Sequence, residues 1–95
     1  RQAGGTHADE METSMLLYLY PQFVDMTKAA RDYHPGAGGL TRDSLVAVRE
    51  GKTFSRTGIF GDATLATREK GRRVVEAHVL DLLEEIEALR RTPIP

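Results

Sequence analysis

The residues best able to do chemistry lie in one short stretch, Gly4-Gly5-Thr6-His7-Ala8-Asp9-Glu10-Met11-Glu12-Thr13-Ser14, which places a histidine, three carboxylates and several hydroxyls within a dozen positions. Such a set suits proton transfer, with the imidazole as acid or base and the carboxylates as its partners. Spacing by three or four along a helix would set His7 beside Glu10 and Glu10 beside Ser14. The ordinary reading is also open: acidic residues in a first turn, with Thr6 as a plain N-cap, are common helix-starting chemistry. The stretch has no HExxH pattern, and a lone histidine among carboxylates falls short of a full zinc ligand set.

These residues need a loop and a helix to position them. Gly4 and Gly5 favour a turn or a close approach. The spacing of Met11, Met15, Tyr18 and Leu19 predicts a helix over 11–20, too apolar at Met15 to Tyr20 to lie open on a monomer. The helix dipole there favours Asp9, Glu10 and Glu12 as anions. Pro21 predicts the start of a short second helix, with Phe23, Val24 and Met26 on its buried face and Ala29 and Ala30 extending it. Residues 32–41 have loop composition, and His34 and Gly38-Gly39 within them are weak signals for catalysis or phosphate binding. Residues 41–50 fit either a short helix or a strand, and a turn follows at Glu50-Gly51-Lys52. Strand candidates are the residues leading into Gly4 and the segment from Phe54 to Phe60.

The last element has the clearest period. Val75, Val79, Leu82, Ile86 and Leu89 step by four and three, predicting a helix from Ala63 or Thr64 to Arg91, capped by Asp62 or Thr64 and ended before Pro93. Glu69–Arg73 and Glu87–Arg91 are favourable i,i+4 pairs. The basic residues Arg68, Lys70, Arg72 and Arg73 alternate with Glu69 and Glu76, the pattern of a solvated face. His78 flanks the apolar stripe as a bystander.

Composition bounds the function. The chain has 95 residues, 40% hydrophobic and 28% charged, with a net charge of −1. That describes one small globular portion with no electrostatic reason to bind nucleic acid or an anionic membrane. No apolar run approaches the roughly 20 residues of a membrane span, and no signal peptide is evident. With no cysteine there is no disulfide or thiolate site, which suits a cytoplasmic setting. The opening Arg1-Gln2-Ala3-Gly4-Gly5, without an initiator methionine, reads as a fragment, a processed product or one half of a split protein.

Two blocks resemble a known family. His7-Ala8-Asp9-Glu10-Met11-Glu12-Thr13-Ser14, running into Met15-Leu16-Leu17 and Tyr20-Pro21, resembles the H-A-G-E-x-E-T-S block of the creatinine amidohydrolase (creatininase) family. Thr57 to Thr67, followed by Glu69-Lys70-Gly71, resembles its T-G-x-x-G-D-P-x-x-A-T-x-x-K-G block. The resemblance implies an α/β protein, a three-layer fold with a mainly parallel sheet, of which residues 1–95 would form the C-terminal portion of a single domain, mostly helical with one or two short strands. It implies hydrolysis of a carbon–nitrogen, often cyclic, amide bond at a site with two divalent metal ions (Zn, Mn, Mg or Fe). Most of the family's ligands belong to an N-terminal half whose motifs are not found in this sequence, so tight metal binding by this chain alone is not expected.

Carried over by position, His7 matches the histidine that assists proton transfer to the leaving nitrogen and lies at the substrate. Glu10 matches a carboxylate at the metal or substrate edge, and Glu12 the first residue of E-T-S, in metal-site support or a structural role. Asp9 stands where the family has glycine and would add charge and bulk at the mouth of a substrate pocket. Ala63 replaces the usual proline. The partners implied are the missing N-terminal half or a sister chain, further copies in a homo-oligomer, and a small-molecule amide substrate; neither nucleic acid nor membrane is expected. The alternative is a non-catalytic helical interaction or assembly module that kept the fold's packing.

Overall fold

The computed structural model describes residues 1–33 and 57–94. The expectations for His34, Gly38-Gly39, residues 41–50, the turn at Glu50-Gly51-Lys52 and the start of the Phe54–Phe60 segment fall outside these residues. Within them the order is helix α1 (Glu10–Leu19), 3₁₀ turns at Pro21–Phe23 and Met26–Lys28, strand β1 (Arg31–Asp32), strand β2 (Gly61–Asp62), a 3₁₀ turn at Ala63–Leu65 and helix α2 (Arg68–Arg91). The described part is thus mostly helical with two short antiparallel strands, in register Arg31 to Asp62 and Asp32 to Gly61. No helix among the described residues is long and apolar enough to cross a membrane.

Helix α1 starts where Asp9, in extended backbone conformation, accepts the N–H groups of Met11 and Glu12 and so satisfies two of the free donors of the first turn. Asp9, rather than Thr6, is the cap. The helix stops because Pro21 carries no N–H to continue the ladder and disfavours helical geometry at Tyr20, whose own N–H closes the last bond onto Leu16 O at 2.7 Å.

The helix expected after Pro21 is not formed. Two 3₁₀ turns replace it, separated by extended Val24. The cause is Asp25, whose carboxylate accepts from Thr27 N and Thr27 Oγ1 at 3.0 and 2.6 Å and draws the backbone into a local turn in place of a helical ladder. No residue of either turn is buried, and Phe23, expected inside, is 80% exposed.

The expected strand at the residues before Gly4 is also absent, since residues 1–5 form no strand. Pairing instead falls at Gly61–Asp62, just beyond the Phe54–Phe60 segment, with Phe60 in an isolated antiparallel bridge to His7. Gly61 has φ +147°, and a side chain there would press on Asp9 Cβ at 2.7 Å, so this position requires glycine.

Helix α2 begins later than its periodicity suggests. Asp62 caps the short Ala63–Leu65 turn by accepting from Thr64 N at 3.1 Å and from the Thr64 hydroxyl. Ala66 is extended, and Thr67 then caps α2 by accepting from Lys70 N at 3.2 Å. The far end is as expected: Arg91 closes the helix and Thr92 N bonds Leu89 O. The predicted pairs form, Arg73 to Glu69 at 3.0 Å and Arg91 to Glu87 at 3.2 Å. Arg72 adds bonds to both Glu69 and Glu76, and the guanidinium groups of Arg72 and Arg73 hold the Glu69 carboxyl down at about 2.

The two helices meet at Ser14 and Gly71. Ser14 is wholly buried. A Cβ on Gly71 would lie 1.8 Å from Ser14 O, so the backbones touch where no side chain intervenes. Apart from Ile59, the other buried side chains of the described part are small or polar: Ala63, Ala66, Asp9, Glu10 and Asp62. Tyr18 adds a ring under Arg68, with the guanidinium carbon 5.6 Å from its centroid.

Candidate functional site

The stretch singled out by its chemistry divides into an inward and an outward part. Asp9 and Glu10 point inward. Asp9 Oδ1 is occupied by the N–H groups of Met11 and Glu12 at 2.9 and 3.0 Å, and Oδ2 accepts from Gln2 Nε2 at 2.7 Å. Glu10 accepts from Lys70 Nζ at 2.7 Å and from Gln2 N at 2.5 Å. Lys70, followed by the Gln2 N–H, holds the Glu10 carboxyl below its usual range. Lys70 also donates to Leu65 O at 2.6 Å, so one ammonium joins the first turn of α1 to the chain entering α2.

Ser14 makes the parallel link. Its hydroxyl donates to Glu10 O at 2.5 Å and accepts from Thr67 N at 3.1 Å. The expected neighbourhood of Glu10 and Ser14 is therefore present, and it serves to join α1 to the cap of α2. The two sequence blocks, far apart in the chain, clasp each other through Glu10–Lys70, Ser14–Thr67 and Ser14–Gly71.

His7 and Glu12 point outward. The Thr6–His7 main chain is tied to Phe60, with Thr6 N donating to Phe60 O and Phe60 N to His7 O, each at 2.9 Å. Its side chain is 66% exposed, and Nδ1 lies 3.7 Å from Glu12 Oε2. The expected placement of His7 beside Glu10 does not occur. Helical spacing cannot apply to His7, because Ala8 next to it adopts φ +47°, a left-handed conformation uncommon for any residue with a side chain, and turns the chain before α1 begins. Glu12 Oε2 accepts the Ala8 N–H, and Thr13 Oγ1 donates to Ala8 O at 3.4 Å. This resembles a capping box, with the third helical residue reaching back past the cap.

Of the predicted site residues, then, the structure brings His7 and Glu12 together and turns Asp9 and Glu10 into the junction. Gln2 was not expected from the sequence, yet it bonds Asp9, Glu10 and Asp62, the last through Asp62 N to Gln2 Oε1 at 3.1 Å. No spacing rule points to such a residue. Lys70 stands in the second block, where sequence spacing groups it with a solvated basic face because its partner lies on another helix. Arg31 approaches Asp62 at 3.7 Å. A shallow hollow on α2 lined by His78, Asp81, Leu82 and Glu85 contains none of the predicted site residues.

Among the described residues no group of three or more His, Cys, Asp or Glu side chains could hold a metal ion. The His7–Glu12 pair supplies two donors, and Glu10 is neutralised by Lys70. The described residues do not by themselves fit a metal centre.

Comparison with known proteins accounts for the two blocks. The family model described as creatinine amidohydrolase matches residues 1–86. A protein of Mycobacterium tuberculosis named mycofactocin precursor peptide peptidase is 34% identical over 85 residues, covering 87% of this chain and 32% of its own length. A protein of the same name from Mycobacterium ulcerans is 33% identical over 94 residues, covering 97% of this chain and 35% of its own. The chain thus spans about a third of the length of these curated relatives. No solved structure matches it. With the family model covering most of the sequence and both blocks seated at one junction, the chain belongs to the creatinine amidohydrolase family.

Proposed function

We propose that this chain is the C-terminal portion of an amidohydrolase domain of three-layer α/β architecture, and that it contributes the proton donor for cleavage of a carbon–nitrogen amide bond. Family membership supports the reaction class, and the peptidase name carried by the mycobacterial relatives favours a peptide amide over a small cyclic one. The observation that carries the role of this chain is His7: an exposed imidazole on a backbone pinned to Phe60, beside a carboxylate.

In such a reaction water adds to the carbonyl, the carbon–nitrogen bond breaks, and the departing nitrogen must gain a proton before it leaves. His7 in its protonated form supplies that proton, and its neutral form recovers one from the adding water. The two divalent ions implied by the family resemblance would activate water and polarise the carbonyl. On the geometry described here they would be held mainly by other residues, and in this proposal Glu10 serves the junction rather than a metal. The non-catalytic alternative gains no support from relatives named as peptidases.

His7→Ala tests the reading in the natural protein. Turnover is followed by amine release from creatinine and from a panel of short peptides, with metal content measured in parallel. The expected result is a fall in kcat of about 10² to 10⁴ with metal content retained; near-native turnover would remove His7 from the mechanism.

A further inference from the structure

We propose that Glu12 is a positioning residue for His7: its carboxylate, fixed by the left-handed turn at Ala8, holds the imidazole with a proton on Nδ1 and leaves Nε2 to face the substrate. The inference rests on the proton-donor reading of His7 and assigns the residue that orients it.

A single oxygen, Glu12 Oε2, carries both contacts, accepting from Ala8 N and standing 3.7 Å from His7 Nδ1. The first contact fixes where the carboxylate lies; the second directs its charge at one ring nitrogen and not the other. A carboxylate facing Nδ1 favours the tautomer that carries hydrogen there, which makes Nε2 the atom that exchanges protons with whatever binds outside. At 3.7 Å the pair is looser than a hydrogen bond, as such pairs often are before substrate closes on them. The backbone around the ring is held, because His7 O accepts from Phe60 N, the preceding Thr6 N donates to Phe60 O, and Ala8 is bonded by Glu12 and Thr13, so that gap is left to rotation of the His7 side chain.

The left-handed Ala8 is part of the device. Helical backbone continued through both Asp9 and Ala8 would carry His7 round to the α1 surface beside Glu10, where Lys70 already neutralises the carboxylate. The turn instead takes His7 out of the helix and delivers it to Glu12, whose charge Lys70 does not neutralise. A capping role alone does not need that charge, since glutamine serves equally at the third helical position of a capping box.

That equivalence supplies the test. Glu12→Gln keeps the acceptor for Ala8 N and removes the negative charge. The natural protein, labelled with ¹⁵N-histidine and assigned through a His7→Gln variant, is examined at a pH where the imidazole is neutral. The parent is expected to show His7 mainly protonated on Nδ1, and Glu12→Gln to shift it toward the Nε2-protonated form usual for free histidine, with the melting temperature nearly unchanged. An Nε2-protonated parent, or the same tautomer in both proteins, would overturn the proposal.

Kinetics on the substrate that the panel identifies separates this from the functional reading. Glu12→Gln is expected to lower kcat about tenfold with KM within about twofold, and to cost nothing further when His7 is already alanine. A further multiplicative loss in the double variant would show that Glu12 acts independently of His7 and also sinks the proposal. A tautomer shift together with full turnover in His7→Ala would keep the positioning pair and discard the proton-donor reading.

Discussion

The junction between the two helices and the outer part of α2 are made from opposite materials. At the junction the closest contacts involve a serine, a glycine, a threonine N–H and a Glu–Lys pair, with alanines around them. Along outer α2 the large side chains Val79, Leu82, Ile86 and Leu89 are all about half or more exposed, and every residue from Glu76 to Arg91 is exposed. The strongest apolar period in the sequence therefore marks surface, while the tightest packing occurs where side chains are smallest. Large apolar groups contribute only in proportion to the area they lose to a partner. Close backbone approach needs no large group, only the absence of one and a partner for each polar atom.

The sharpest way to break this contrast is Gly71→Ala. Helix propensity alone would favour alanine by about 1 kcal/mol, but the new methyl group meets Ser14 O, a backbone atom that cannot swing aside. A net destabilisation of about 2–3 kcal/mol is expected from overpacking, read as a lower urea midpoint. Unchanged or increased stability would show that the helices are not in contact there.

Ser14→Ala comes next. It removes the acceptor for Thr67 N at a fully buried position and leaves that donor unpaired. A loss of about 1–2 kcal/mol is expected, and amide exchange at Thr67 should quicken in the same variant.

Glu10→Gln is expected to cost about 1 kcal/mol or less near neutral pH, since Lys70 is only partly covered. Its signature is in the pH dependence. The Glu10 carboxyl ionises more readily in the folded chain than in the unfolded one, so its stabilisation is complete above the ordinary carboxyl range and is lost as the pH falls through the lowered folded value. The variant should therefore match the parent more closely in acid than at neutrality. A difference that stays constant with pH would mean that the charge of Glu10 is not what joins the blocks.

The smallest effect is expected on outer α2. Leu82 is 61% exposed, so Leu82→Ala should change stability by less than about 0.5 kcal/mol. A loss of about 2 kcal/mol or more, the usual cost at a buried leucine, would show that another surface covers this face in solution.

Much of the local structure was legible in the residues. The extent of α1, its end at Pro21, the end of α2 before Pro93 and the Glu–Arg pairs along α2 follow from caps, breakers and i,i+4 spacing, all of which act within a turn or two of chain. The chemistry-bearing stretch was legible as well, from residue types alone. Less legible was the segment after Pro21, where the side chain of Asp25 overrode the apolar spacing. The start of α2 was also obscured, because three successive candidates, Asp62, Thr64 and Thr67, can each cap a helix.

What the tertiary structure alone decided is which residues of the Gly4–Ser14 stretch face each other. Sequence spacing assumes one regular backbone, and extended Asp9 together with left-handed Ala8 breaks that assumption, exchanging Glu10 for Glu12 as the neighbour of His7. The partner of Glu10 lies 60 positions away at Lys70 and that of Ser14 53 positions away at Thr67, separations over which no periodicity carries information. Types, caps and family membership are properties of the linear chain. The division of its carboxylates between a structural joint and an exposed pair follows from the turn before α1 and from the close approach of two backbones at Ser14 and Gly71, which exist only once the chain is folded.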